Sequence, residues 1–255
     1  ENPARFHGTG PFEISTGEPK VKEEKDSYTD VFSKVLTDIG KKNEKVVAIT
    51  AAMADGTGLA RFARRFPQRF FDVGIAEEHA MTFAAGLAAG GLKPVFAVYS
   101  SFLQRAYDQA IHDVCLQNLP VFLAVDRAGL VGSDGETHQG VFDLSFLSTI
   151  PNMTILSPKN RWEMADMVRF AVDFPYPIAL RYPRGAAYEG MRRFRAPIEY
   201  GKCEILYEEE DIAVFFVGHM SELADSVRRR LKEIGYGCSL INARFVKPLD
   251  TDALE

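Results

Sequence analysis

Short apolar runs alternate with segments of helical period through the first two thirds of the chain. Val46–Thr50, Phe70–Val73, Pro94–Tyr99, Pro120–Asp126, Met153–Leu156 and Pro177–Arg181 are predicted strands. Helices are predicted over Leu59–Phe66, Ala76–Gly90, Phe102–Asn118 and Arg161–Val172, with a short one near Phe142–Thr149. Strands that are apolar throughout, rather than alternating, are buried on both faces. Spaced by helices, they indicate βαβ units and a parallel sheet. An earlier helix is expected to begin at Ser27-Tyr-Thr-Asp30, which reads as a capping box with Asp in place of Glu. Val31, Val35, Leu36 and Ile39 carry its period, and Gly40 is the expected C-cap.

Two stretches interrupt the pattern. In residues 1–26, Pro3, Gly8, Gly10, Pro11, Gly17 and Pro19 break any period, and Lys20–Asp26 reads as a solvated charge run. Phe6, Phe12 and Ile14 are the candidates there to pack along a surface. Residues 183–201, rich in Pro, Gly and Arg, form the second break. Beyond it, Lys202–Tyr207, Asp211–Val217 and Cys238–Ala243 are predicted strands and Ser221–Ile234 a helix. About 55 residues is short for an α/β domain, so this second unit is expected to be truncated. The expected fold is α/β: a parallel sheet flanked by helices, with a truncated second α/β unit. The division is a linker over 1–26, one domain over 27–190, and a linker with a partial domain over 191–255.

Composition narrows the class. Of 255 residues, 46% are apolar and 25% charged, which is ordinary globular usage. A net charge of −5 argues against a nucleic-acid partner. No apolar run approaches the roughly 18 residues of a membrane span. Glu1-Asn2-Pro3 is neither a signal peptide nor a start at Met, which suggests a piece of something longer. Cys115, Cys203 and Cys238 form no CxxC pattern and read as free thiols of a reducing, cytoplasmic compartment.

In open parallel sheets, ligands bind beyond the carboxyl ends of the strands. Five segments fall there: Ala51–Gly58, Gly74–His79, Ser100–Arg105, Arg127–Gly140 and Tyr182–Gly185. Glu77 and Glu78 open a helix, where the macrodipole alone favours acids. The helix continues with Ala and Gly, however, and close packing would leave Glu77 a poorly solvated acid able to bond a protonated nitrogen strongly. Phe102 and Arg105 share one face and suit a flat polar heterocycle; alternatively Phe102 is core and Arg105 pairs with Asp108 or Asp113. Arg127–Gly140 is long for a connection and gathers acids, glycines, Arg127 and His138. No paired His or Cys spacing supports a metal there. Arg181 and Arg184 flank a Tyr-Pro turn suited to an anion such as a sugar phosphate.

Three strings carry a resemblance: Phe71-Asp-Val-Gly-Ile-Ala-Glu77-Glu-His79-Ala-Met-Thr-Phe-Ala-Ala-Gly, Tyr99-Ser-Ser-Phe-Leu-Gln-Arg-Ala-Tyr-Asp-Gln109, and Asp126-Arg-Ala-Gly-Leu-Val-Gly-Ser-Asp-Gly-Glu-Thr-His-Gln-Gly140. The first resembles the pyrimidine-domain signature of the transketolase group of thiamine diphosphate enzymes. The others, with Phe6-His-Gly-Thr-Gly-Pro-Phe12 and Arg181-Tyr-Pro-Arg-Gly185, resemble the 1-deoxy-D-xylulose-5-phosphate synthase family. The resemblance implies a three-domain homodimeric enzyme that joins pyruvate to glyceraldehyde 3-phosphate with loss of carbon dioxide. Its product is a precursor of isoprenoids, thiamine and pyridoxal. It further implies that Glu77 bonds the cofactor's aminopyrimidine ring, that Phe102 stacks on it, and that Arg105 lies beside it. Tyr99, Arg127 and Arg184 would hold the acceptor phosphate, while Asp134 and His138 orient hydroxyls and shuttle protons. Glu78 stands where the family more usually has Gln. The family binds the diphosphate and Mg²⁺ through a Gly-Asp-Gly motif in an N-terminal domain, which is missing here. No metal ligand is therefore assigned, and the rest of the polypeptide is an implied partner. Membrane and nucleic-acid partners are not expected. Two other readings stay open: the C-terminal subunit of a split transketolase, or a non-catalytic sugar-phosphate-binding or assembly module.

Overall fold

Residues 10–18 and 25–255 are described in the computed structural model. The capping box forms as expected: Ser27 Oγ accepts from the Asp30 N–H at 3.0 Å, and Asp30 Oδ2 accepts from the Ser27 N–H at 2.9 Å. The helix it starts, α1 (Tyr28–Lys42), does not stop at Gly40 but continues to a cap at Asn43. Gly40 serves packing instead. A Cβ there would lie 2.7 Å from the Phe62 ring, so its absence lets the next helix approach.

The chain then runs through β1 (Val46–Thr50), α2 (Ala60–Arg65), β2 (Phe70–Asp72), α3 (Glu77–Ala89) and β3 (Lys93–Tyr99). The single helix expected over Phe102–Asn118 is broken into pieces. These are α4 (Ser100–Leu103), a 3₁₀ turn Gln104–Ala106, α5 (Tyr107–Gln109) and a π-helical segment Ala110–Cys115. The change of winding keeps Leu103, Ala106, Ala110 and Val114 in the core while Phe102 and Arg105 line a cleft. Next come β4 (Phe122–Asp126), α6 (Asp143–Thr149), β5 (Thr154–Leu156), α7 (Arg161–Asp173) and β6 (Ile178–Arg181). The second unit holds β7 (Glu204–Tyr207), β8 (Ile212–Phe216), α8 (Ser221–Glu233), β9 (Cys238–Asn242) and β10 (Phe245–Lys247).

The main sheet has the order β10-β5-β6-β4-β3-β1-β2. β1 to β6 are parallel, as their unbroken apolar runs required. β10 was not anticipated. It belongs by sequence to the second unit, yet pairs antiparallel with β5 at the edge of the first sheet. Its three residues are too few to show a period. Successive strand residues feed two cores. Val46, Ala48, Phe122 and Leu180 pack with Phe32 and Leu36 of α1 and Met164 and Val168 of α7. Ile49, Phe96, Val98 and Ile155 pack on the opposite face with Met81 and Ala84 of α3 and with Val114. The result is a three-layer αβα sandwich whose strand ends open toward one edge.

The second unit is a small sheet, β7-β9-β8, backed by α8. It is tied to the first by buried charges. Lys159 Nζ donates to Glu163 at 2.8 Å and Glu204 at 2.5 Å, and Arg244 Nε donates to Glu163 at 2.9 Å. In the N-terminal stretch, Ile14 is 89% exposed and does not pack along a surface as expected, whereas Phe12 is half buried. Phe6 and the run Lys20–Glu24, with most of the Phe6–Phe12 string, lie outside the described residues. Asp26, expected to be solvated, is bonded to Lys34 at 2.5 Å and Arg161 at 2.8 Å. Among the described residues, no helix is long and apolar enough to cross a membrane.

Candidate functional site

Four segments at the carboxyl ends of strands converge on one cleft of about 900 Å³. It is lined by Glu77, Tyr99, Phe102, Arg105, Arg127, Asp134 and His138 together with the loop Ala51–Gly56. Arg184 lines a smaller recess of about 440 Å³, which shares Asp55, Gly56 and Arg127 with the cleft. Glu77, Tyr99, Phe102, Arg105, Arg127, Asp134, His138 and Arg184 thus all lie in the cleft or the adjoining recess, whereas Arg181 does not.

Glu77 is the first residue of α3 and is 1% exposed, because the Ala-rich helix packs closely on β3 and its neighbours. Its Oε1 accepts from Arg105 Nη1 at 3.0 Å. Its Oε2 is buried with no partner. A buried polar atom left unbonded costs roughly 1–3 kcal/mol; of the cleft-lining residues Glu77 and Arg127 each have one, and the Glu77 oxygen marks a place for a donor. Glu78, by contrast, faces solvent. The alternatives for Arg105 are resolved as well: Asp108 bonds His112, and Asp113 bonds Thr82.

The aromatic wall stands beside Glu77. Phe102 stacks on Tyr99 at a centroid distance of 5.8 Å and receives the His138 ring edge-on at 5.2 Å. Arg105 lies over the same Phe102 ring, 5.1 Å from its centroid. His138 Nδ1 is 2.8 Å from the Thr137 hydroxyl. A carboxylate oxygen awaiting a donor next to an aromatic plane fits a flat heterocycle with a protonated ring nitrogen.

The cationic wall is built from three loops. Arg127 lies over the Tyr99 ring at 4.2 Å, and its guanidinium donates to the carbonyl of Gly56. Gly56 cannot be anything larger in place, because a Cβ there would sit 1.7 Å from the Tyr99 hydroxyl. Burial pushes the Tyr99 phenol above its usual range, with Arg127 opposing. Asp134 sits between the two arginines, 3.6 Å from Arg127 Nε and 2.8 Å from Arg184 Nε. The long loop is therefore ordered. It carries 3₁₀ turns at Gly132–Asp134 and Glu136–His138 and is closed by a bridge between Gly129 and Gly140. Arg181 does not join this wall. It is buried and donates to Asp143 at 2.6 Å, so only Arg184 of the Tyr-Pro turn faces an anion site.

Asp55, Gly56, Asp72 and Asp126 also build the site, though none was chosen from the sequence. Asp72 accepts from the Ala52 and Gly74 N–H groups at 2.8 and 3.0 Å, tying two of the loops together. Their one sequence signal is position, since each ends or follows a strand. Among the described residues, no group of three or more His, Cys, Asp or Glu side chains is arranged to hold a metal ion. The cleft fits a heterocycle and an anion; a metal-bound diphosphate finds no such ligand set in it.

Known proteins share this sequence pattern and fold. Residues 24–189 match the family model described as transketolase, pyrimidine binding domain, and residues 201–255 that of the transketolase C-terminal domain. The chain is 55% identical over 254 residues to 1-deoxy-D-xylulose-5-phosphate synthase of Lachnoclostridium phytofermentans, covering 100% of this chain and 41% of that protein. It is 52% identical over 258 residues to the enzyme of that name from Aquifex aeolicus, covering 100% and 40%. It spans about two fifths of the length of these curated relatives. Among solved structures, a split gene transketolase described as an inactive β4 tetramer superimposes with a TM-score of 0.81 at 28% identity, covering 90% of this chain and 75% of that one. Transketolase from Campylobacter jejuni gives 0.78 at 18% identity, covering 96% and 39%, a likeness of fold. With two thirds of its length matched by one family model and its fold shared with these structures, the chain belongs to the transketolase pyrimidine binding domain family.

Proposed function

We propose that this chain is the pyrimidine-binding part of a thiamine diphosphate-dependent 1-deoxy-D-xylulose-5-phosphate synthase. The enzyme joins pyruvate to glyceraldehyde 3-phosphate with release of carbon dioxide. Residues 27–190 form the cofactor-binding unit and 191–255 a linker and the start of the C-terminal domain; the two matched ranges support this division. Identity above half to relatives of that name supports the reaction. One observation carries the assignment of the site: the unpartnered Oε2 of Glu77 on the cleft wall beside the ring of Phe102.

Thiamine diphosphate, when bound, supplies the nucleophilic carbon and the electron sink for decarboxylation. Glu77 accepts a hydrogen bond from the protonated pyrimidine nitrogen. Arg105 orients Glu77 through the bond to Oε1. Phe102 covers one face of the heterocycle and excludes water from it. Arg127 and Arg184, with Tyr99 between aromatic and polar walls, bind the acceptor's phosphate dianion. Asp134, now shared by both arginines, turns toward substrate hydroxyls when the phosphate takes its place between them. His138, at the rim of the aromatic wall, gives a proton to the acceptor's carbonyl oxygen as it becomes a hydroxyl. Mg²⁺ and the diphosphate are held by ligands from outside this chain, in an N-terminal domain of the same polypeptide, and the assembled enzyme is a homodimer. A cytoplasmic location fits the three unpaired cysteines.

The test is a chimaera in which residues 1–255 replace the matching segment of the Lachnoclostridium phytofermentans synthase. It is expected to release carbon dioxide from pyruvate in the presence of glyceraldehyde 3-phosphate. Glu77→Gln is expected to remove that activity without lowering the melting temperature. A folded chimaera that binds thiamine diphosphate but releases no carbon dioxide would sink the reading. That outcome would favour a second one, the C-terminal subunit of a split transketolase. The coverage of 75% of the split-gene chain supports this alternative.

A further inference from the structure

We propose that Asp126 is a positioning residue that aims Arg127 into the cleft, and that Thr29 holds Asp126 in that role. The inference rests on the reading of Arg127 as a holder of the acceptor phosphate.

Asp126 ends β4, lies opposite Tyr99 in the sheet register, and is fully buried. A carboxylate withdrawn from water is costly unless donors surround it. Three do. Thr29 Oγ1 donates to Oδ2 at 2.8 Å, the Arg127 N–H donates to Oδ1 at 2.7 Å, and Arg127 Nη1 lies 3.1 Å from Oδ1. Two of the three come from one residue, so the carboxylate grips both the backbone and the head group of its neighbour.

That grip explains an unusual conformation. Arg127 has φ +58°, a left-handed backbone that non-glycine residues seldom adopt and that surrounding contacts must impose. The hydrogen bond from its own N–H to Asp126 fixes the backbone there. The guanidinium contact then folds the side chain back over the strand end, across the Tyr99 ring and onto the Gly56 carbonyl. In this pose Arg127 lines the cleft, with its buried Nε 3.6 Å from Asp134. An extended arginine, free of Asp126, would carry its charge elsewhere. Thr29 contributes from another element altogether. It stands in the first turn of α1, whose start is fixed by the Ser27–Asp30 box, and it anchors the far oxygen of Asp126. The aim of Arg127 is thus set by a relay from the start of α1 through the end of β4.

The experiment compares Arg127→Ala, Asp126→Asn and Thr29→Val in the chimaera, each checked for a melting temperature near the parent's. KM is measured for glyceraldehyde 3-phosphate and for unphosphorylated glyceraldehyde, and the ratio of the two values is the readout. A merely structural role moves both together; a role through the phosphate moves the ratio. Arg127→Ala is expected to shift the ratio against the phosphorylated acceptor by about tenfold, as for a lost charged hydrogen bond. Asp126→Asn and Thr29→Val are expected to shift it in the same direction by about threefold each, because they loosen the arginine without removing it. Thr29→Val leaves the carboxylate in place and keeps the test open if Asp126→Asn does not fold. If Arg127→Ala moves the ratio and neither other change does, the positioning role is wrong while the phosphate reading stands. If all three raise both KM values equally, the positioning role is likewise wrong. If Arg127→Ala leaves the ratio unchanged, the phosphate reading itself fails and this inference falls with it.

Discussion

Arg105 Nη1 lies 3.0 Å from Glu77 Oε1, an ion pair in which the carboxylate is buried and the guanidinium is half in solvent. The pair uses one carboxylate oxygen and leaves the other free. Glu77→Gln keeps the shape and the acceptor oxygen for Arg105 but places a neutral amide where the free oxygen was. In the chimaera, turnover is expected to fall by about 10²–10⁴-fold, the range for losing a positioned acid or base. Arg105→Ala is expected to do less harm to the rate, since the unpartnered oxygen survives. Steady-state rates of both variants decide the matter; equal losses would mean that Oε1, not Oε2, does the work.

The close approach of Tyr99 to Gly56 makes a second prediction. Gly56→Ala puts a methyl group into the Tyr99 hydroxyl and is expected to destabilise the chain by about 1–3 kcal/mol, the usual cost of overpacking. Tyr99→Phe removes the clashing oxygen. In the double variant, denaturant unfolding is expected to show part of that loss recovered, a coupling that independent sites would not give.

Acid stability has a local reporter in the second unit. Lys232, the Cys238 N–H and Arg228 all donate to Glu209 and hold its carboxyl at about 2, against an ordinary 4.5. A depressed carboxyl stabilises the fold only while ionised. Its contribution is complete above about pH 4.5 and fades as the pH falls toward 2. Glu209→Gln is expected to lower the melting temperature at pH 7, and the gap from the parent is expected to narrow in melts taken at successively lower pH below 4.5. A gap that stays constant with pH would assign the effect to shape rather than charge.

Alone, the chain is expected to release no carbon dioxide from pyruvate and to bind thiamine diphosphate weakly. The cleft offers a wall for the heterocycle but no set of ligands for a metal-bound diphosphate among the described residues. Each lost 1.4 kcal/mol of binding is about tenfold in affinity. Titration calorimetry with the cofactor and Mg²⁺ measures this directly; micromolar binding together with activity would show a complete site. Self-association is expected too, and sedimentation reads it. The split-gene chain it resembles is itself described as an inactive tetramer.

What could be read from the sequence followed from local rules. Six parallel strands showed as unbroken apolar runs, and the rule of strand ends named the loops that meet in the cleft. Glu77 was legible because Ala and Gly after it announced close packing. What was not legible depended on partners far along the chain. Arg105 finds Glu77 rather than the nearby Asp108 or Asp113, and Arg181 finds Asp143 and leaves the anion site to Arg184. Asp126 looked like the end of a strand, and only its burial beneath Arg127 shows its use. The helix expected over Phe102–Asn118 kept its apolar period while its winding changed, which periodicity alone does not register.

β10 gives the folded chain a different modularity from its sequence. The Pro- and Gly-rich stretch 183–201 looks like a seam, yet the chain crosses back over it to finish the first sheet. Arg244, just before that strand, donates to Glu163 on α7, and its carbonyl accepts from the Ser157 N–H at 2.9 Å. A protein cut at residue 200 would lose both, leaving β5 as an open edge and Glu163 buried without its arginine. Open edges invite pairing with other chains, and Glu163 would keep only Lys159 of its two buried cations. The two units are therefore expected to melt as one cooperative body, and a piece meant to be moved intact between proteins is expected to need the chain through Lys247.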